Sequence, residues 1–294
     1  MTLEITALKD EPVGALVSGW EPEEPLSPDE EAAIRQGLVD HLVLVFRGQA
    51  QPSNDALIRF AERFGDLIKG SEWFRDVEDR AEILPVTNAV GEDGLPRGTG
   101  GAGPLEWHAD YSYVPDPGKE SFLNAVELPP DAPRTYFCSQ YAALESLPPE
   151  TVERLRGLRA VHSITGYVKD DEGPEDYELH NEFIAKKRRD EAAGVDRPDI
   201  PEAEHPVIFE HPETGREILY VSRGITKQII GLPRDESSAI LKQMHKVSTA
   251  PERVYAHEWQ VGDMVMFDTL GALHKRDAWD PSGVRVMRQL STTC

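Results

Sequence analysis

Apolar and polar positions recur with two distinct periods along this chain, and the change from one to the other divides it. Near the start, the turn and cap residues PLSPD precede EEAAIRQGLVDHL, in which Ile34, Leu38 and Leu42 recur at helical spacing. The β-branched and aromatic run LVLVFRG follows, ending at Gly48, and then a second helix, NDALIRFAERFGDL, closed by Gly65. With a short strand-like start, the opening reads strand, helix, strand, helix.

From Glu82 the pattern turns to short strands broken by turns: ILPVTNAV, the glycine-rich GTGGAGP, WHADYSYV, SFLNAVEL and RTYFCSQY. A mostly antiparallel sheet is their natural host. PETVERLRGLRAVHS is expected as one helix, and the charged, proline-marked segment 169–204 as a surface excursion or lid. HPVIFEHPETGREILYVS predicts a hairpin around Pro212 to Gly215, DESSAILKQMHKVST a helix, and VGDMVMFDT and VRVMRQLST further strands.

No Gly/Ser/Pro-rich linker divides the 294 residues, so a single domain over 1–294 is expected. The formal charge of -22 would repel a polyphosphate backbone and an anionic leaflet, which argues against nucleic acid and membrane surfaces as partners. Two cysteines, Cys138 and Cys294, provide neither a disulfide framework nor a four-cysteine zinc site, and a reducing cytoplasm fits. The start lacks an export-signal pattern and no apolar run reaches the roughly 18 residues of a membrane span. Homo-oligomerisation is left open.

Three features carry candidate chemistry. In Trp107-His108-Ala109-Asp110, read as strand, residues i and i+2 project to one face, so His108 and Asp110 could grip one ion; alone, they are as easily a hydrogen-bonded pair at a sheet edge. His274 follows the strand VGDMVMFDT, where a turn could swing its imidazole over that face. His41, His162, His180, His205, His211, His245 and His257 lack such a setting and read as structural or exposed. Arg285 lies eleven residues beyond His274 in the last strand; a buried arginine must be paired, and its planar fork suits a carboxylate. Two histidines and one carboxylate on one face of an octahedral ion leave three positions open.

On these residues, and on ITALKDEPVGALVSG, LVLVFRGQ, FAERFGDL, WHADYSY, HPVIFEHPETGREILYV and GDMVMFDTLGALHKRDAWDPSGVRVMRQLST, the sequence resembles the taurine dioxygenase and 2,4-dichlorophenoxyacetate dioxygenase family. The resemblance implies a mainly β fold with flanking helices, a double-stranded β-helix or jelly roll. It implies iron(II) held by His108, Asp110 and His274, with 2-oxoglutarate and dioxygen as co-substrates. The reaction would couple oxidative decarboxylation of 2-oxoglutarate, to succinate and carbon dioxide, to oxidation of a C–H bond. Thr135 matches the threonine that assists the arginine, here Arg285, at the co-substrate's distal carboxylate. Asp110 argues against the halogenating relatives, which lack the carboxylate, so hydroxylation is the default over desaturation or dealkylation.

The chain also departs from the family. Many members carry a second arginine four residues after the first, where this sequence has Gln289; Arg288 is one step off, on the opposite face of a regular strand. Ile164 and Ile225 stand where the family has aromatics around a small substrate. Lys69, Trp73, Arg75 and Arg223 are further candidate substrate contacts. The expected substrate is thus a small or medium organic molecule, amino-acid-like or from secondary metabolism, rather than taurine. Two other readings use the same ligands: a zinc-type hydrolase with bound water, and a jelly-roll binding protein that keeps the metal for stability. Neither accounts for Arg285.

Overall fold

The computed structural model describes residues 3–74, 80–92, 94–164, 188, 190–194 and 198–294. The opening follows the expected order: β1 (Glu4–Ala7), β2 (Ala15–Ser18), α1 (Pro28–His41), β3 (Val43–Phe46) and α2 (Asn54–Ala61). Ser27 caps α1 in a reciprocal box with Glu30, satisfying N–H groups that the first turn leaves open. Helix α2 ends before Gly65, because the chain tightens into turns that return Arg63 N–H to Phe60 and Phe64 N–H to Ala61. That turn places Phe64 against Phe60 and Phe122.

There follow α3 (Ser71–Phe74), β4 (Leu84–Thr87), β5 (Thr99–Gly100), β6 (Leu105–His108), β7 (Gly118–Glu127), β8 (Thr135–Ser139), α4 (Gln140–Glu145), α5 (Pro149–Leu155) and β9 (Arg159–His162). The helix expected over PETVERLRGLRAVHS is therefore helix and strand. Gly157 divides them at a φ of +81°, a left-handed conformation that glycine adopts without a Cβ clash. Next come β10 (Ala203–Pro206), β11 (Ile208–Glu210), β12 (Glu217–Leu219), β13 (Thr226–Ile229), α6 (Arg234–Ser248), β14 (Val254–His257), β15 (Met264–Asp268), β16 (Ala272–Arg276) and β17 (Val286–Thr293). Strands β11 and β12 form the expected hairpin. The excursion expected at 169–204 lies largely outside the described residues, and its end enters β10, paired to β9.

Among the described residues, eight strands form a major sheet in the order β1-β2-β3-β15-β7-β17-β4-β5, and four a minor sheet in the order β14-β8-β16-β6. The core explains why LVLVF reads as continuously apolar. Val43 and Val45 of β3, with Val265 and Phe267 of β15, join the cluster between the sheets, where Phe267 meets Phe137 of β8 edge-on at 5.1 Å. Leu44, Phe46, Met264 and Met266 point the other way, against Ile34, Leu38, Leu57 and Phe60 of the helices. Both faces of the major sheet are thus buried, one by the minor sheet and one by helices. This is a jelly roll with helices packed outside it. No helix among the described residues is long and apolar enough to cross a membrane.

Glu120 of β7 is buried, 3.3 Å from Lys119 Nζ, and accepts a hydrogen bond from the Thr292 hydroxyl. Burial above all raises its pKa from 4.5 to about 7, against the opposing pull of Lys119. A folded-state pKa raised in this way gives stability that is present below the unfolded value and lost as pH climbs through the folded one. Between pH 6 and pH 8 the wild-type melting temperature should therefore fall relative to Glu120→Gln. Parallel pH profiles in calorimetry would contradict this.

Candidate metal and co-substrate site

Strands β6, β8 and β16 of the minor sheet bring the first part of the site together. His274 lies on β16 itself, directly opposite His108 of β6 on one side and Phe137 of β8 on the other. The expected turn lies just before it, where Asp268 Oδ1 accepts the N–H groups of Leu270 and Gly271. The two histidine rings lie 4.1 Å apart. Asp110, by contrast, is not in a strand: β6 stops at His108, and Tyr111 follows Asp110 at a φ of +53°. Asp110 reaches the histidines because the chain turns, not because alternate strand residues share a face. Its backbone N–H is tied to Thr269 Oγ1 at 2.8 Å.

One ligand atom from each of His108, Asp110 and His274 lies within 4.8 Å of the others. Asp110 Oδ1 is 3.6 Å from His108 Nε2 and 3.9 Å from His274 Nε2, a span that an ion about 2.1 Å from each can bridge. His108 Nδ1 is 2.6 Å from the Glu106 carbonyl, an acceptor, which places the proton on Nδ1 and leaves Nε2 free to ligate. Burial first, and then neighbouring His108, lower the His274 pKa to about 3, so its imidazole is neutral as a metal ligand must be. The N, N, O donor set on one side of a cavity fits iron(II) with open positions.

The opposite wall comes from the major sheet. Arg285 immediately precedes β17 and is 2% exposed. Its Nε has no hydrogen-bond partner, and no carboxylate pairs with it among the described residues. Trp259 and Trp279 flank the guanidinium at 5.9 and 5.8 Å. Burial, then Arg276, lower its pKa to about 9, so it stays protonated near neutrality while lacking an anion. That orphaned cation fits the distal carboxylate of a keto diacid. Thr135 lines the same cavity, and its Oγ1 accepts from Trp259 Nε1 at 2.9 Å, which leaves the hydroxyl proton to be donated elsewhere.

Ile164, Ile225 and Gln289 also line the cavity, beside Leu84, Val86 and Leu123. Gln289 Nε2 donates to Asp110 Oδ2 at 2.7 Å. Arg288 points away, as the strand period requires, and binds Asn124 and Asn54. Trp73 packs against Tyr111 and Tyr113 at the cavity's aromatic side. Lys69 is exposed, and Arg223 is exposed and 3.8 Å from Glu106. Arg75, like His180, lies outside the described residues. His257 is structural, held between Tyr255 and Asp263.

Sequence reasoning passed over Tyr111, Tyr113, Trp259 and Arg276. Arg276 was within reach, two residues from His274 on one strand and therefore on its face. It is buried, opposite Thr135, and donates to the carbonyls of Gly100, Gly101 and Gly103 while stacking on Trp279. Thus GTGGAGP is fastened as a wall of the cavity. Trp259 carried no comparable signal, because its contact with Thr135 spans 124 residues.

The family described as taurine catabolism dioxygenase TauD, TfdA family matches residues 4–291. Pentalenolactone F synthase of Streptomyces avermitilis is 37% identical over 292 residues, covering 99% of this chain and 94% of the relative. The alpha-ketoglutarate-dependent 2,4-dichlorophenoxyacetate dioxygenase of Burkholderia sp. (strain RASC) is 32% identical, over 91% of this chain and 86% of the relative. Among solved structures, AAD-2 in complex with Mn(II) and N-oxalylglycine superposes with a TM-score of 0.74 at 24% identity, covering 100% of this chain and 98% of that one. That likeness supports the jelly-roll fold. With a family match over nearly the whole length and relatives above 30% identity, the chain belongs to the TauD, TfdA family of dioxygenases.

Proposed function

We propose that His108, Asp110 and His274 hold iron(II), that Arg285 and Thr135 bind 2-oxoglutarate, and that the enzyme hydroxylates a C–H bond of a small organic molecule. The class is that of its family, a 2-oxoglutarate-dependent dioxygenase acting on small molecules. The observation that carries the residue assignment is the joint one: three metal-competent side chains line a single cavity with a buried guanidinium that has no carboxylate partner among the described residues. Iron(II), when bound, couples oxidative decarboxylation of 2-oxoglutarate to oxidation of the substrate. The chain's own residues supply binding and orientation. Arg285 offers a planar fork to one end of the keto diacid, and the Thr135 hydroxyl, its oxygen already engaged by Trp259, donates to the same carboxylate. The Glu106 carbonyl holds the His108 ring in its ligating tautomer.

Around the metal ligands the walls are apolar or aromatic, with Leu84, Leu123, Ile164, Ile225, Tyr111 and Tyr113. We assign to this space the uncharged part of the substrate, which such walls desolvate without loss. The amide of Gln289 replaces the cation expected for a sulfonate clamp. Taurine should accordingly be a poor substrate, and taurine turnover comparable to that of the best substrate would refute this. The net charge of -22 supports the exclusion of nucleic acid as a partner, and the family match over 4–291 supports a single domain.

The test is direct. Protein loaded anaerobically with iron(II) and 2-oxoglutarate should develop a weak visible charge-transfer band, and admission of oxygen should yield succinate. Compounds of the pentalenolactone series, 2,4-dichlorophenoxyacetate and taurine can be screened for perturbation of that band before turnover. Activity that persists without oxygen and is supported by zinc would favour the hydrolase instead.

A further inference from the structure

Asp110 is the least restrained of the three ligands by secondary structure. It lies past the end of β6, and the next residue has a left-handed backbone. No strand pairing orients its side chain, and a carboxylate turns readily about its last torsion. Yet its two oxygens have separate surroundings: Oδ1 faces both histidine Nε2 atoms, at 3.6 and 3.9 Å, while Oδ2 accepts the Gln289 amide at 2.7 Å. Gln289 is itself well fixed. It sits in β17, registered between Leu84 of β4 and Leu123 of β7 in the interior of the major sheet, and is 7% exposed.

We propose that Gln289 is a positioning residue for the metal: its amide holds Asp110 so that one oxygen is presented to the ion and the other is withheld. The inference rests on the reading of His108, Asp110 and His274 as the metal site. It gives Gln289 a role different from substrate contact. A neutral amide suits this role, because it fixes the carboxylate through a charge-assisted hydrogen bond without neutralising the charge that the ion requires.

The experiment is a titration of the metal-free full chain with Mn(II), followed by electron paramagnetic resonance, for wild type, Gln289→Leu, Gln289→Met and Asp110→Ala. Circular dichroism checks that each variant is folded, and Met, with a side chain close to Gln in length, serves if Leu disrupts the sheet. Both Gln289 variants should bind Mn(II) about 10- to 100-fold more weakly, the range found when a ligand's supporting partner is removed. The bound-Mn(II) spectrum should also change as the carboxylate becomes free to turn. Folded Leu and Met variants that bind as wild type does, with only the KM for organic substrate raised, would overturn the proposal and return Gln289 to the substrate. If Asp110→Ala also binds as wild type does, the metal reading itself fails, so the two failures are told apart.

Discussion

Replacing Arg285 with alanine is expected to raise the 2-oxoglutarate concentration needed for half-maximal turnover by about two orders of magnitude or more. The guanidinium is almost wholly buried and flanked by two tryptophan rings, its Nε lacks a partner, and no carboxylate pairs with it among the described residues. A co-substrate carboxylate would complete a buried ion pair, and breaking one by removing a partner costs roughly 3–5 kcal/mol, at 1.4 kcal/mol per tenfold. Arg285→Lys keeps the charge but not the planar fork, and should recover only part of the loss. Titration of the iron charge-transfer band with 2-oxoglutarate measures the effect without needing the organic substrate. An unchanged requirement would remove Arg285 from the site.

The second large effect is expected at His274. His274→Ala should lower metal affinity by more than about a hundredfold, beyond the cost of losing a mere supporting partner, and abolish succinate formation. The ring is buried, stacked on Phe137 at 6.0 Å and tilted against Phe267 at 4.8 Å, and lies across the strand pair from His108. No other histidine among the described residues joins the cluster that could replace it. Calorimetric titration with Mn(II) or iron(II) reads the affinity directly. Binding within tenfold of wild type would show that the ion, if any, is held elsewhere.

Much of this was legible from the residues. LVLVF and VGDMVMFDT were both read as strands, and both prove buried on their two faces, since Met264 to Phe267 are as continuously apolar as Val43 to Phe46. That His108, Asp110, His274 and Arg285 would meet in one cavity was legible through their residue types and the resemblance, and the strand period correctly turned Arg288 away from it. Local geometry was read less well. Asp110 was placed in a strand because WHADYSY is aromatic and alternating, yet the structure ends the strand at His108 and bends through Tyr111. Gly157 was overlooked as a helix stop because the surrounding charges kept a helical spacing. Contacts such as Trp259 with Thr135 and Gln289 with Asp110 span 124 and 179 residues, and no single-chain periodicity encodes a partner at that separation.

The placement of β17 has a consequence for how the protein comes to be active. Although late in the chain, it lies inside the major sheet, between β7 and β4, and it carries Gln289 on its length with Arg285 at its threshold. Pairings of such sequence separation form slowly, because a long loop must close before any contact rewards it. A nascent chain would therefore expose His108 and Asp110 well before β17 brings Gln289 and Arg285 to the same cavity. The proposed site would thus be complete only once β17 is inserted between its two neighbours.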